Sequence, residues 1–323
     1  MALPSPIRSL GRAVLHRWQW FHDYTLAKLQ AYSDRRRVLG GRTSIAQDVH
    51  GTRFVLYPFD RPNLSYILRH PCDVAEFQAI PRLVQPGDIA FDVGANRGLY
   101  SVLLSRLCGP TGRVWAFEPV PDTYWRLRET LALNRCENVT PVQSAICEES
   151  GSVRMNLFEP QFAEWNTLGM PPPRPVNGKQ VSPRESVEIP AHTLDRFCEA
   201  EKIERISFLK VDVEGFELSV FKGAERLLKE HRVDYICFEI AKQPLACAGV
   251  QSREIFEALE VHGYASYRFD RSTGSFEGPL QDSSEAWTNF FASWKDLSNH
   301  DKVIRIERAG RRTGGKRPEG NLE

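Results

Sequence analysis

The sequence from Asp88 to Pro119 reads Asp-Ile-Ala-Phe-Asp-Val-Gly-Ala-Asn-Arg-Gly-Leu-Tyr-Ser-Val-Leu-Leu-Ser-Arg-Leu-Cys-Gly-Pro-Thr-Gly-Arg-Val-Trp-Ala-Phe-Glu-Pro. An apolar run stops at Gly94, a helical pattern begins near Gly98, and a second apolar run ends in Glu118. This order predicts a strand, a glycine turn, a helix and a second strand with an acid at its end. Such a unit is typical of a nucleoside-binding crevice at the C-terminal edge of a parallel sheet.

The spacing of the glycines distinguishes two classes of nucleoside ligand. A dinucleotide site has the pattern G-x-G-x-x-G, which brings helix amides to a pyrophosphate. Here three residues separate Gly94 from Gly98, Asp92 precedes the turn, and Asn96 lies within it. An acid at this place repels a pyrophosphate but suits a cationic ligand that carries an amino acid, such as S-adenosylmethionine. The carboxylate of Glu118 is then placed to accept the ribose hydroxyls.

Length and composition are those of an ordinary soluble globular protein. The chain has 323 residues, of which 41% are hydrophobic and 26% are charged, so we expect one large domain with decorations. Its seven cysteines are dispersed and include no C-x-x-C pair. This pattern predicts reduced thiols, a cytoplasmic location and no zinc site.

The charge is unevenly distributed along the chain. Residues 1–45 carry a net charge of +6 and residues 302–323 a net charge of +4, so with +1 overall the remainder carries about −9. An acidic body argues against nucleic acid lying across the main surface, because the phosphate backbone needs a basic footprint.

Apolar periodicity divides the chain into four parts. Residues 1–45 contain a basic amphipathic helix (7–32), which we interpret as packing on the domain or on a second subunit. Its arginines and aromatic side chains would also suit weak contact with a membrane surface, so that alternative stays open, as does a homo-oligomer. Residues 46–87 predict an appendage of a hairpin and a helix, 88–300 the main domain, and 301–323 a basic, disordered tail.

Two further stretches are predicted to reach the crevice. Residues 159–186 are rich in proline and too long for a plain connection, which is typical of an active-site lid. Residues 206–223 predict a buried strand with Asp212 and Glu214 at its C-terminal end, followed by a glycine turn into a helix. By the rule for open sheets, this end faces the same crevice as Gly94.

These motifs resemble the FkbM-type S-adenosylmethionine-dependent methyltransferases, within the class I methyltransferase fold. The matching stretches are Asp92-Val-Gly-Ala-Asn-Arg-Gly-Leu-Tyr-Ser101, Ala116-Phe-Glu-Pro-Val-Pro121, Thr193-Leu-Asp195 and Lys210-Val-Asp-Val-Glu-Gly-Phe-Glu217. The resemblance covers roughly residues 48–293. It implies an α/β fold with a doubly wound, mostly parallel seven-strand Rossmann-like sheet and helices on both faces.

The resemblance also implies roles for particular residues. Gly94, Asn96 and Gly98 would hold the methionine part of the cofactor, and Glu118 its ribose. Ser144 and Ala145, which follow the third strand, would lie beside the adenine. Asp212 and Glu214 would lie near the reacting centre. Members typically methylate oxygen on sugars, glycans or natural products resembling polyketides, so the expected partner is a small-molecule or glycan acceptor.

The expected reaction is an in-line transfer, in which Asp212 or Glu214 acts as a base or orients the acceptor. The alternative for Asp212 is a structural acid that caps the following helix or binds the ammonium group of the cofactor. A nicotinamide-dependent oxidoreductase is disfavoured by the missing third glycine. A non-catalytic scaffold is disfavoured because Gly94 and Glu118 are retained. No metal is expected.

Overall fold

The structure is a computed structural model that describes residues 43–48, 51–58, 60, 75–159, 166–168, 174–176 and 179–298. The predicted basic N-terminal helix and the predicted C-terminal tail lie outside the described residues, as does part of the predicted lid. The division of the chain into four parts therefore stays a prediction.

A large mixed sheet forms the centre of the protein. Its eight strands are β3 (Ile89–Val93), β4 (Arg113–Phe117), β5 (Val139–Val142), β11 (Ile206–Val211), β12 (Val233–Ala241), β13 (Ala265–Asp270), β14 (Ser275–Leu280) and β15 (Trp287–Ser293). Their order in the sheet is β14-β13-β15-β12-β11-β3-β4-β5, and the five strands from β12 to β5 are mutually parallel. The α/β fold and the mostly parallel sheet predicted from the sequence are confirmed.

The sheet has one strand more than the seven predicted. The additional strand, β14, pairs antiparallel with β13 at the edge of the sheet. Its sequence, Ser-Phe-Glu-Gly-Pro-Leu, contains both glycine and proline and therefore gives a poor strand signal.

Eight helices are described, and they pack around the central sheet. They are α1 (Glu76–Leu83), α2 (Leu99–Cys108), α3 (Pro121–Asn134), α4 (Leu194–Ala200), α5 (Glu217–Lys222), α6 (Glu225–Lys229), α7 (Lys242–Ala248) and α8 (Ser252–Glu260). Two apolar cores result, because successive residues of a strand face opposite sides of the sheet. On β3, Phe91 and Val93 belong to one core and Ala90 to the other.

Two smaller sheets are also described. β6 (Ala145–Ile146), β10 (Glu185–His192) and β7 (Gly151–Leu157) form a three-stranded sheet. β8 (Arg174–Val176) pairs with β9 (Lys179–Val181) as a hairpin. The predicted lid (159–186) therefore contains a hairpin and the start of β10.

An N-terminal hairpin lies beside the crevice. β1 (Ser44–Gln47) pairs antiparallel with β2 (Arg53–Leu56). Asp60, which follows this hairpin, is fully buried and forms ion pairs with Arg97 of the glycine turn and with Arg126 of α3. These two ion pairs tie the segment that follows the hairpin to the turn between β3 and α2 and to α3.

Two further observations concern the cysteines and the length of the helices. The six cysteines within the described residues have free thiols. None of the described helices is long and apolar enough to cross a membrane.

Candidate functional site

A cavity of about 420 Å³ opens at the C-terminal ends of the parallel strands. Its volume is in the range of small-molecule sites. It brings together seven of the residues predicted from the sequence, namely Gly94, Asn96, Glu118, Ser144, Ala145, Asp212 and Glu214. Three described residues of the predicted lid also line it, namely Asn166, Thr167 and Leu168.

The glycine turn places two strand ends against each other. Gly94 has a φ of +85°, and the amide groups of Gly94 and Ala95 donate hydrogen bonds to the carbonyl oxygen of Phe117 over 3.0 Å and 2.9 Å. A Cβ atom at position 94 would lie 1.8 Å from the carbonyl oxygen of Asp212. The close approach of β3 to the end of β11 therefore requires glycine at this position.

Glu118 is held at the end of β4 by the backbone. Its Oε2 accepts a hydrogen bond from the Asn96 amide and its Oε1 one from the Val120 amide, each over 3.0 Å. The residue is buried, and burial raises the pKa of Glu118 to about 7 although both amides favour the charged form. Two fixed amides orient the carboxylate at the cavity wall, where each oxygen still has a lone pair for a ligand hydroxyl.

Ser144 follows β5 and lies at the same wall. It is 1% exposed, and its Oγ has no hydrogen-bond partner among the described residues. A buried hydroxyl without a partner costs about 1–3 kcal/mol, which a ligand that bonds to it would recover. Ala145 begins β6 beside it and is also buried.

Asp212 forms an ion pair with the buried Lys210 at the end of β11. The distance from its Oδ2 to Lys210 Nζ is 3.1 Å, and the same Nζ lies 3.2 Å from Oδ1 of Asn289 on β15. The Asp212 side chain is 28% exposed, whereas that of Lys210 is fully buried. The carboxylate therefore faces the cavity on one side and a buried cation on the other.

Glu214 lies in the turn that leaves β11 and has a φ of +53°, which is uncommon for a residue other than glycine. Glu217 braces this turn, because its Oε1 accepts hydrogen bonds from the amides of Val213 and Gly215 over 3.1 Å and 3.3 Å. Glu217 is buried, and burial raises its pKa to about 7. The strained conformation of Glu214 is thus supported by its surroundings.

Glu239 brings another carboxylate to this end of the cavity. It lies on β12 and accepts a hydrogen bond from the indole nitrogen of Trp287 on β15. Burial and the neighbouring carboxylates of Asp212 and Glu214 raise the pKa of Glu239 well above its ordinary value. Among the described residues, no group of His, Cys, Asp and Glu side chains has the geometry of a metal site.

Two of the predicted residues do not line the cavity. Asp92 is 1% exposed and accepts a hydrogen bond of 2.5 Å from Ser101 Oγ, and burial raises its pKa to about 6. Gly98 precedes α2 with a φ of +89°, and a Cβ there would lie 2.8 Å from a methyl carbon of Leu127. Asp92 and Gly98 therefore pack against other residues of the protein, and this packing fixes the turn.

Sequence reasoning missed several residues of the site. Tyr100, Asn289 and Trp287 line the cavity, and Lys210 lies directly beneath it. Lys210 carried a signal, because a lysine within an otherwise apolar strand predicts a buried charge with a partner. Asn289 and Trp287 carried none, since nothing local shows that β15 is inserted beside β12.

Comparisons with known proteins support one family. A family model described as the methyltransferase FkbM domain matches residues 92–266. The chain is 31% identical over 173 residues to the hexuronic acid methyltransferase AglP of Haloferax volcanii. This alignment covers 53% of this chain and 61% of that protein. It is 30% identical over 167 residues to the 31-O-demethyl-FK506 methyltransferase FkbM of Streptomyces tacrolimicus. This second alignment covers 44% of this chain and 61% of that protein.

The alignments thus span about three fifths of these two relatives. Among solved structures, Aeropyrum pernix fibrillarin with bound S-adenosyl-L-methionine is similar with a TM-score of 0.38 and 14% identity. That comparison covers 79% of this chain and 86% of the fibrillarin chain.

Proposed function

Because the chain belongs to the FkbM family of methyltransferases, we propose that it transfers the methyl group of S-adenosylmethionine to a hydroxyl oxygen of a sugar, a glycan or another natural product. One observation carries the proposal: the buried carboxylate of Glu118 is fixed by two amides beside a glycine turn and faces a cavity of fitting size. The hydroxyl acceptor is supported by the names of the relatives, which give a hexuronic acid and 31-O-demethyl-FK506 as the compounds to be methylated.

The residues at the cavity wall fit the cofactor. Glu118 offers carboxylate oxygens to a ribose, and the unpartnered Oγ of Ser144 offers a hydrogen bond to the adenine or the ribose. Gly94 and Asn96 would hold the methionine part. The cavity wall also carries Asp212, Glu214 and Glu239, which suits a ligand that bears a sulfonium and an ammonium group.

S-adenosylmethionine supplies an electrophilic methyl group on a positively charged sulfur. The chain itself orients the acceptor and removes its proton. Asp212 is the proposed base: its carboxylate lines the cavity and can accept the hydroxyl proton as the oxygen attacks. Glu214 is the alternative, because it lies at the same end of the cavity.

The decisive experiment is a calorimetric titration of the purified protein with S-adenosylhomocysteine, run beside one with NAD. Saturable binding of S-adenosylhomocysteine alone supports the proposal and leads to a screen of methyl glycosides as acceptors. Binding of NAD alone would move the protein to the oxidoreductases, and binding of neither would favour a scaffold.

The affinity for S-adenosylhomocysteine is expected to rise with pH. The ribose hydroxyls donate to the ionised form of Glu118, whose pKa is about 7 without ligand, so this contribution is present above pH 7 and is lost as the pH falls through it. If only the ionised form binds, the dissociation constant rises about tenfold between pH 8 and pH 6. Calorimetry across this range measures the effect.

The variant Glu118→Gln is the matched test of that dependence. It should bind more weakly at pH 8, because the amide accepts less strongly, and its affinity should change little with pH. Glu188→Gln, an exposed change on β10, should keep the wild-type profile. A Glu118→Gln variant that retains the wild-type affinity and slope would place the ribose elsewhere.

A further inference from the structure

Lys210 is a charged residue in the middle of the central sheet. It lies on β11 opposite Asp92 of β3 and Cys237 of β12, and it is 0% exposed. A lysine with no access to solvent is rare in proteins unless its charge is paired. The charge of Lys210 therefore requires a specific partner within the protein.

The ammonium group has several partners on different elements. Its Nζ lies 3.1 Å from Asp212 Oδ2, 3.2 Å from Asn289 Oδ1 and 3.5 Å from the carbonyl oxygen of Val211. It also lies 5.0 Å from the centre of the Tyr100 ring, a cation–π distance. These contacts join α2, β11 and β15 under the floor of the cavity.

The surrounding charges keep the lysine protonated. Burial alone would lower its pKa, but the nearby acidic groups outweigh burial and hold the pKa of Lys210 above its ordinary value. The carboxyl groups that act on it are those of Asp212, Glu239 and Glu76. Lys210 is thus a permanent cation within a buried acidic cluster.

The two oxygens of Asp212 have different surroundings. Oδ2 is bound to Lys210, whereas Oδ1 has no hydrogen-bond partner among the described residues. Asp212 lines the cavity, together with Tyr100 and Asn289. An ion pair that fixes one oxygen sets the direction of the other, because the carboxylate is planar.

We propose that Lys210 is a positioning residue for methyl transfer: its ammonium group holds Asp212 as an oriented carboxylate, with Oδ1 directed to the acceptor hydroxyl. This rests on the proposed function. Lys210 itself touches neither cofactor nor acceptor and acts through Asp212. A carboxylate held in one orientation loses no rotational freedom when the acceptor binds, which is the advantage of a preorganised site.

The test is a double-mutant cycle with Lys210→Met and Asp212→Asn. Turnover is measured with radiolabelled S-adenosylmethionine and the methyl glycoside that gives the highest rate in a panel. We expect Lys210→Met to lower kcat by about 100-fold in the wild type, within the range for a general base, but less than threefold in the Asp212→Asn background. The KM for S-adenosylmethionine should change less than threefold, and Lys210→Arg should recover part of kcat.

The melting temperatures of the same four proteins give a second cycle, and this measurement needs no acceptor. Lys210 is fully buried, and its removal leaves nearby carboxylates without their cation, so Lys210→Met should lower the melting temperature by about 10 °C. The same change should cost less than half as much in the Asp212→Asn background. The surface variant Lys222→Met, which removes a 3.6 Å pair with Glu148, should change the melting temperature by about 2 °C or less.

Two results would overturn the proposal. Additive melting shifts would mean that the pair does not couple, whatever the acceptor. Equal losses of kcat from Lys210→Met in both backgrounds would mean that Lys210 does not act through Asp212. A failure of the proposed function would be distinct from both, because it would appear as a lack of S-adenosylhomocysteine binding by the wild type.

Discussion

Replacing Gly94 by alanine is expected to destabilise the protein severely and to abolish binding of S-adenosylhomocysteine. The new Cβ would lie 1.8 Å from the carbonyl oxygen of Asp212, a backbone atom that no side-chain rotation can move away. Relief of the clash must separate β3 from the end of β11. We expect a loss of about 4 kcal/mol or more, which is at the extreme of single substitutions. The melting temperature should then fall by roughly 10 °C.

A matched glycine separates the steric clash from backbone strain. Gly249 also has a positive φ, +74°, but a Cβ there would meet nothing within 4 Å. Gly249→Ala should therefore cost only about 1 kcal/mol, the price of the left-handed conformation for alanine. Equal melting temperatures for the two variants would show that β3 and β11 do not approach each other as closely as described.

Replacing Asp212 by asparagine is expected to slow methyl transfer by about 10²–10³-fold, because the amide cannot take the proton of the acceptor hydroxyl. The change keeps the shape of the side chain at the cavity wall, although the neutral amide no longer forms an ion pair with Lys210. The affinity for S-adenosylhomocysteine should therefore stay within about threefold of the wild type. Single-turnover transfer to the best methyl glycoside and calorimetry measure the two quantities.

Two further variants assign the loss. Glu214→Gln tests the alternative base, and a larger loss there than in Asp212→Asn would exchange their roles. Asp282→Asn makes the same chemical change at an exposed carboxylate that bonds to Ser252, and it should leave both turnover and affinity unchanged. Wild-type turnover by Asp212→Asn would remove Asp212 from the chemistry.

Much of the fold could be predicted because its signals are local. The run before Gly94 and the run before Glu118 each read as a buried strand, and the structure has β3 and β4 at these places. Strand periodicity and glycine turns depend on neighbouring residues, so a single sequence contains them. The eighth strand, β14, was missed because pairing at a sheet edge tolerates glycine and proline.

The candidate site was predictable in part for a related reason. Asp212 and Glu118 follow parallel strands, and the carboxyl ends of such strands meet at one edge. Asp92 shows the limit of that rule, because it precedes the turn by two residues and alternation along the strand buries it against Ser101. Whether a residue near a strand end lies at the cavity wall or in the core therefore depends on the direction of its side chain.

By itself, the sequence determined the order of strand, glycine turn, helix and acidic strand end, and with it the crevice and its nucleoside class. Only the tertiary structure decided what surrounds Asp212. Asn289 lies 79 residues from Lys210 in the chain, and it reaches the lysine because β15 inserts antiparallel beside β12. Contacts of this kind follow from the pairing of strands that are distant in sequence. The free energy of that pairing comes from the whole sheet, so no single stretch of sequence predicts it.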